Sequence, residues 1–179
     1  MPLVQPSCAN LGAKADEGHA VSKLKDFIMA ETWRIEDLIP HRGEMLLIDT
    51  VVKVGQAVAV TEAMVSPRWP LMDQNGASPI VLVELAAQTA GVCLGWNRLQ
   101  RHPHEKGKPG GWIVGIKKAD FHGGPIPLST RITTHITTEL AVENYMEIAA
   151  TAAIGDSEIA HMRLQVLEAE KTAFADIRK

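Results

Sequence analysis

The chain has 179 residues, 46% of them hydrophobic and 22% charged, a balance that supports an ordinary folded core and excludes wholesale disorder. Lys and Arg number 18 against 21 Asp and Glu, so the net charge of -3 argues against a surface built to neutralise nucleic-acid phosphates. Aromatic residues, at 4%, are too few for a base-stacking platform.

In chain order, residues 1–30 read as a partly disordered leader ending in a short amphipathic helix over Val21–Glu31, with Val21, Leu24 and Ile28 on one stripe. The first residues combine no basic start with a sustained apolar run, so they do not read as a signal peptide. Cys8 and Cys93 are far apart and form no zinc spacing, which fits a reduced, cytoplasmic setting. One domain over residues 31–170 and a tail over 171–179 complete the division.

Met45–Val54 is rich in β-branched residues and predicts a strand; Ala57–Val65 alternates and predicts its partner, with a Gly55–Gln56 hairpin between them. A loop follows over Ser66–Ser78. Ser78–Pro79 then signals a helix start, with Ser as cap and Pro in the first turn, and the helix should run to about Arg98. It is apolar nearly all round, so it must be wrapped by other elements. Glu84, Gln88 and Thr89 interrupt the apolar run and argue against a membrane span. Four strands are expected after it: Trp112–Phe121, Ser129–Leu140, Asn144–Ile154 and Ser157–Leu167, the last two joined by a Gly155–Asp156 hairpin. An α+β fold with a curved antiparallel sheet around one long buried helix satisfies these elements. Its exposed sheet edges predict a dimer.

Glu84 is the most informative residue. Glutamate is rarely buried without a partner, and burial alone would raise its pKa toward the range of a general acid. Gln88 lies one turn on, on the same face, able to hold the carboxyl or contact a ligand. Helix-start N–H groups around Ile80 and Val81 suit a carbonyl oxygen. Asp73, in the preceding loop, is a candidate base. His102 and His104 lack a third ligand nearby, so no metal site is expected. Arg101, Lys106 and Lys108 form a basic loop suited to an acidic partner. An acid beside carbonyl-binding donors points to acyl chemistry.

Three motifs carry a family resemblance. LIPHRGEMLLIDTVV (Leu38–Val52), Glu84-Leu85-Ala86-Ala87-Gln88, and Val114–Phe121 with Pro125 and Pro127 together resemble the hotdog-fold 3-hydroxyacyl-acyl-carrier-protein dehydratases. The resemblance implies an acyl thioester on the phosphopantetheine arm of acyl carrier protein or CoA, with no other cofactor. It implies that Glu84 assists departure of the 3-hydroxyl and that a helix-start N–H at Ile80 or Val81 holds the thioester carbonyl; Gln88 and Gly115 are further candidate substrate contacts. It implies a dimer with shared sites, either a homodimer or a heterodimer with a related hotdog subunit. The family's catalytic histidine, counted back from Glu84, falls on Pro70, and Ser66–Ser78 holds no histidine. The base must then come from elsewhere, with His41 and Asp73 as the candidates. Dehydratase, hotdog thioesterase and non-catalytic acyl-binding subunit are the three functional readings.

Overall fold

A computed structural model describes residues 34–102 and 110–169. The expected leader, its helix at Val21–Glu31, the basic lysines 106 and 108, His104 and the tail lie outside the described residues. A single helical turn α1 (Ile35–Leu38) opens this part of the chain, and a 3-10 turn follows at Gly43–Met45. Strands β1 (Thr50–Val54) and β2 (Val58–Met64) come next, then a small hairpin of β3 (Met72–Asp73) and β4 (Gly76–Ala77). The long helix α2 (Val81–Arg101) precedes β5 (Gly110–Phe121), β6 (Arg131–Val142), β7 (Tyr145–Ile154) and β8 (Ser157–Ala169).

The main sheet runs β1-β2-β6-β7-β8-β5, with every pairing antiparallel. Alternation along each strand decides which face is buried. In β2, Ala59, Thr61 and Ala63 point inward while their neighbours stay partly exposed. Ile132 and Ile136, Ile148, and Met162 and Leu164 continue that inner face across β6, β7 and β8. α2 lies against it, with Leu82, Leu85 and Ala86 wholly buried. Two register shifts in β5, between Ile113 and Gly115 and between Ile116 and Lys118, bend the strand around the helix. The expected curved sheet wrapped on a helix is therefore present.

Several boundaries differ from the sequence expectation for identifiable reasons. The strand expected from Met45 begins at Thr50, because the Met45 carbonyl and Leu47 N–H are bonded to the side chain of Gln88 instead of a neighbouring strand. The helix begins at Val81, with Ile80 at the cap position and no side-chain cap bond. Backbone bonds from the N–H groups of Val81 and Leu82 to the carbonyls of Ser78 and Pro79 close that end, so Ser78 contributes its carbonyl rather than its hydroxyl. Asn144 leaves the expected strand for a two-residue turn with Glu143, whose φ is 52°. Gly155, at φ 56°, makes the expected tight hairpin with Asp156.

Candidate active site

The segment after α1 crosses the middle of α2, and two glycines permit that crossing. A Cβ on Gly95 would fall 2.1 Å from the Leu38 carbonyl oxygen, and one on Gly91 would fall 3.0 Å from Cγ2 of Ile39. Leu38 and Ile39 are thereby seated in the core, at 1% and 0% exposure. Arg42 then fixes the turn: its guanidinium donates to the carbonyls of Ile39 at 2.8 Å and Glu36 at 2.5 Å, and also to that of His41. Together these contacts present the His41 imidazole to α2.

His41 Nε2 lies 3.3 Å from Glu84 Oε1. Glu84 Oε1 also accepts a 2.8 Å hydrogen bond from Gln88 Nε2. Gln88 is fully buried; its Nε2 donates as well to the Met45 carbonyl at 2.7 Å, and its Oε1 accepts from Leu47 N–H at 3.0 Å. Both donor hydrogens of the amide are therefore engaged by protein groups. The Gln88 side chain ties the chain after His41 to the helix that carries Glu84. His41 Nδ1 is buried and meets no hydrogen-bond partner among the described residues. Nε2 is the ring atom that faces Glu84.

Glu84 falls in the first turn of α2 and is about one third exposed. Its expected upward pKa shift is not found. The hydrogen bond from His41 outweighs desolvation and, with that from Gln88, holds the carboxyl below the ordinary carboxylate range. The sequence expectation counted burial without the partner that comes with it.

The pair sits in the wall of a cavity of about 300 Å³. Ile39, Pro40 and Met45 line it beside His41; Ala87, Gly91 and Leu94 continue from Glu84 along α2; Gly110–Ile113 of β5 and Val166 of β8 form the other wall. The walls are mainly apolar, which suits an acyl chain ending at an acid–base pair. Met45 and Trp112 were not foreseen as lining residues, and Arg42 was not foreseen as the clamp. The adjacency of Arg42 to His41 was the signal available in the sequence for the clamp.

The remaining sequence candidates lie apart from this cavity. Asp73 is exposed in β3, and its Oδ1 accepts the Asn75 N–H at 2.6 Å, a local turn contact. Ile80 is about half exposed, and the Val81 N–H donates to the Ser78 carbonyl at 3.0 Å. Gly115 packs under Gln165, whose Oε1 would lie 2.2 Å from an added Cβ. Pro70, at the family's histidine position, is not among the lining residues. No cluster of three or more His, Cys, Asp or Glu suited to a metal occurs among the described residues. No described helix is long and apolar enough to cross a membrane.

Comparison with known proteins bears on the fold and the family. No curated protein matches the chain. Among solved structures, the dehydratase heterocomplex ApeI:P from Xenorhabdus doucetiae superposes with a TM-score of 0.73 at 18% identity, over 83% of this chain and 99% of the matched one. A Helicobacter felis homologue of HP0420 gives a TM-score of 0.60 at 17% identity, covering 82% and 94%. A hypothetical thioesterase from Streptococcus pneumoniae, solved with coenzyme A, gives 0.51 at 10% identity, covering 67% and 84%. At such identities these likenesses establish the hotdog fold. The family model described as ApeP-like, ApeP dehydratase, matches residues 33–176, and the chain belongs to that dehydratase family.

Proposed function

We propose that the chain dehydrates 3-hydroxyacyl thioesters carried on acyl carrier protein, using His41 as base and Glu84 as acid. The observation that carries this reading is the 3.3 Å contact between His41 Nε2 and Glu84 Oε1 in the wall of a largely apolar cavity. A histidine on the segment after α1 takes the place left without a histidine at Pro70.

The step needs one proton on the pair, held by Glu84, with His41 neutral. His41 Nε2 takes the C2 proton of the substrate. The C2–C3 double bond forms as the C3–O bond breaks. Glu84 delivers its proton to the departing hydroxyl, which leaves as water. The proton on His41 then returns to Glu84 across their contact, and the pair is reset. In the open site the contacts to Glu84 favour its carboxylate. An acyl chain filling the cavity displaces water, and desolvation works against charge, so substrate binding moves the pair toward the neutral form that dehydration uses.

We propose further that the chain works in a heterocomplex with a related hotdog subunit. The support is that the Xenorhabdus doucetiae relative is described as part of a dehydratase heterocomplex. The test of function follows enoyl product and free thiol together from a 3-hydroxyacyl thioester on carrier protein, for the wild type and Glu84→Ala. Enoyl product that is lost in the variant supports dehydration. Free thiol alone means a thioesterase. Binding without either product means a non-catalytic subunit.

A further inference from the structure

An antiparallel sheet that packs one face on its core usually turns polar residues outward. Much of the outer face here follows that rule: Arg163 donates to Glu139 at 2.7 Å, Lys117 bonds Glu147, and Thr151 and His161 pair further along. One end of the sheet does not. Val142 pairs with Tyr145, Tyr145 with Leu167, and Leu167 with Trp112, a single row across β6, β7, β8 and β5. Cross-strand partners share a face, and Leu140, two residues before Val142, joins them. Their neighbours Met146, Val166 and Ile113 pack on the core, so the row faces outward. Leu140, Val142 and Trp112 are each about half exposed. The Tyr145 hydroxyl donates to Glu147 Oε1 at 2.7 Å and accepts from Gln165 Nε2 at 2.6 Å, which leaves the ring as what it offers a neighbour. A contiguous apolar row of this kind marks an interaction surface.

The chain that leaves the sheet beside this row narrows the choice of occupant. β8 runs to Ala169, two residues past Leu167. The Glu168 N–H is bonded at 2.6 Å to the Asn144 carbonyl, in the turn between Val142 and Tyr145. Residues 170–179 therefore start next to the middle of the row, and their apolar residues are Ala173, Phe174 and Ile177. The row spans three gaps between strands, roughly 14 Å. At ~3.3 Å per residue, the chain from Ala169 to Ile177 covers that span even after turning back. The leader is less well placed, because it joins α1, which packs on α2 at the inner side of the sheet. Residues 103–109 precede β5 but bring no Leu, Ile, Val, Met or Phe.

We propose that residues 170–179 turn back over the outer face of the sheet and seat Phe174 and Ile177 on Leu140, Val142 and Tyr145. Charge fits this placement: Arg178 and Lys179 follow Ile177, and Glu139 and Glu143 flank Leu140 and Val142. The segment so placed braces the end of the sheet where Gly110–Ile113 pair with residues 166–169, the part of β5 and β8 that walls the cavity.

The test looks for nuclear Overhauser contacts in the full chain, between the Phe174 ring and the methyl groups of Leu140, Val142 and Leu167. A second sample mixes labelled with unlabelled chains, so that contacts within a chain and between chains are told apart. Contacts within one chain are the expected result. Contacts found only between chains mean that a second copy covers the row, and absence of any contact means that the segment lies elsewhere; either result overturns the proposal. A double-mutant cycle supplies an independent readout. Phe174→Ala should raise the unfolding equilibrium constant roughly fivefold more in the wild type than beside Val142→Ala, the coupling expected of side chains in contact. An equal effect in both backgrounds overturns the proposal as well. Should a variant fail to fold, the contacts measured in the unaltered chain decide.

Discussion

At the residue scale, the site depends on how three side chains share their hydrogen bonds. Gln88 is the hub: it holds Glu84 in place and satisfies a carbonyl and an N–H of the segment that follows His41. Gln88→Leu keeps the volume and removes all three bonds. Each backbone group left buried without a partner costs about 1–3 kcal/mol, so denaturant unfolding of this variant should show a loss of a few kcal/mol along with reduced turnover. Glu84 makes a pH-dependent contribution whose sign follows from its lowered pKa. A carboxyl with a folded pKa below its unfolded value stabilises the fold above the unfolded value, and that contribution is lost as pH falls through the folded one. The stability gap between the wild type and Glu84→Gln should therefore narrow when pH is taken from neutral to below the ordinary glutamate value of about 4.3. Unfolding curves at the two pH values measure it. Glu84 and Gln88 were legible in the sequence because polar residues on an apolar helix need partners. His41 was named as a candidate base, but its contact with Glu84 was not legible: His41 is remote along the chain, and only the crossing of the Leu38–Ile39 segment over α2 brings it there.

At the element scale, the crossing depends on the backbone of α2. Gly95 lets the Leu38 carbonyl lie against the helix, where even a methyl group would collide with backbone atoms. Gly95→Ala should destabilise the protein by about 1–3 kcal/mol through overpacking. It should also lower kcat by moving His41, and thermal melts beside kinetics separate the two effects. The order of strands and helix was readable from alternation and from glycine turns, as in the Gly155 hairpin. The stretch from Met45 to Asp49 was not, since its composition favours a strand while Gln88 takes its backbone groups. The hairpin of β3 and β4 was also missed. Each strand has two residues, and the Ala77 N–H and carbonyl are held by Ile126, far along the chain. Such a long-range bond leaves no local pattern.

At the scale of the whole molecule, the described sheet ends in two edges, β1 and β5. β5 is the longer, and Val114 and Ile116 on it are about half exposed. A long apolar edge is a pairing surface that proteins seldom leave uncovered. β5 also supplies a wall of the cavity, so assembly through this edge would close the site from one side. Ile116→Lys should shift sedimentation toward smaller species, alone or mixed with a related hotdog subunit, while leaving the melting temperature of the monomer nearly unchanged. The cavity that holds the pair is walled in part by β5, and the proposed chemistry stands or falls with the pair. The most direct measurement is enoyl formation from a 3-hydroxyacyl thioester by the wild type, His41→Asn, Glu84→Gln and the double variant. Each single substitution should lower turnover by ~10²–10⁴-fold, and the double should lose little more than the worse single, because the two groups act as a unit. Turnover by His41→Asn close to that of the wild type would contradict the account and return the search for the base to the rest of the chain.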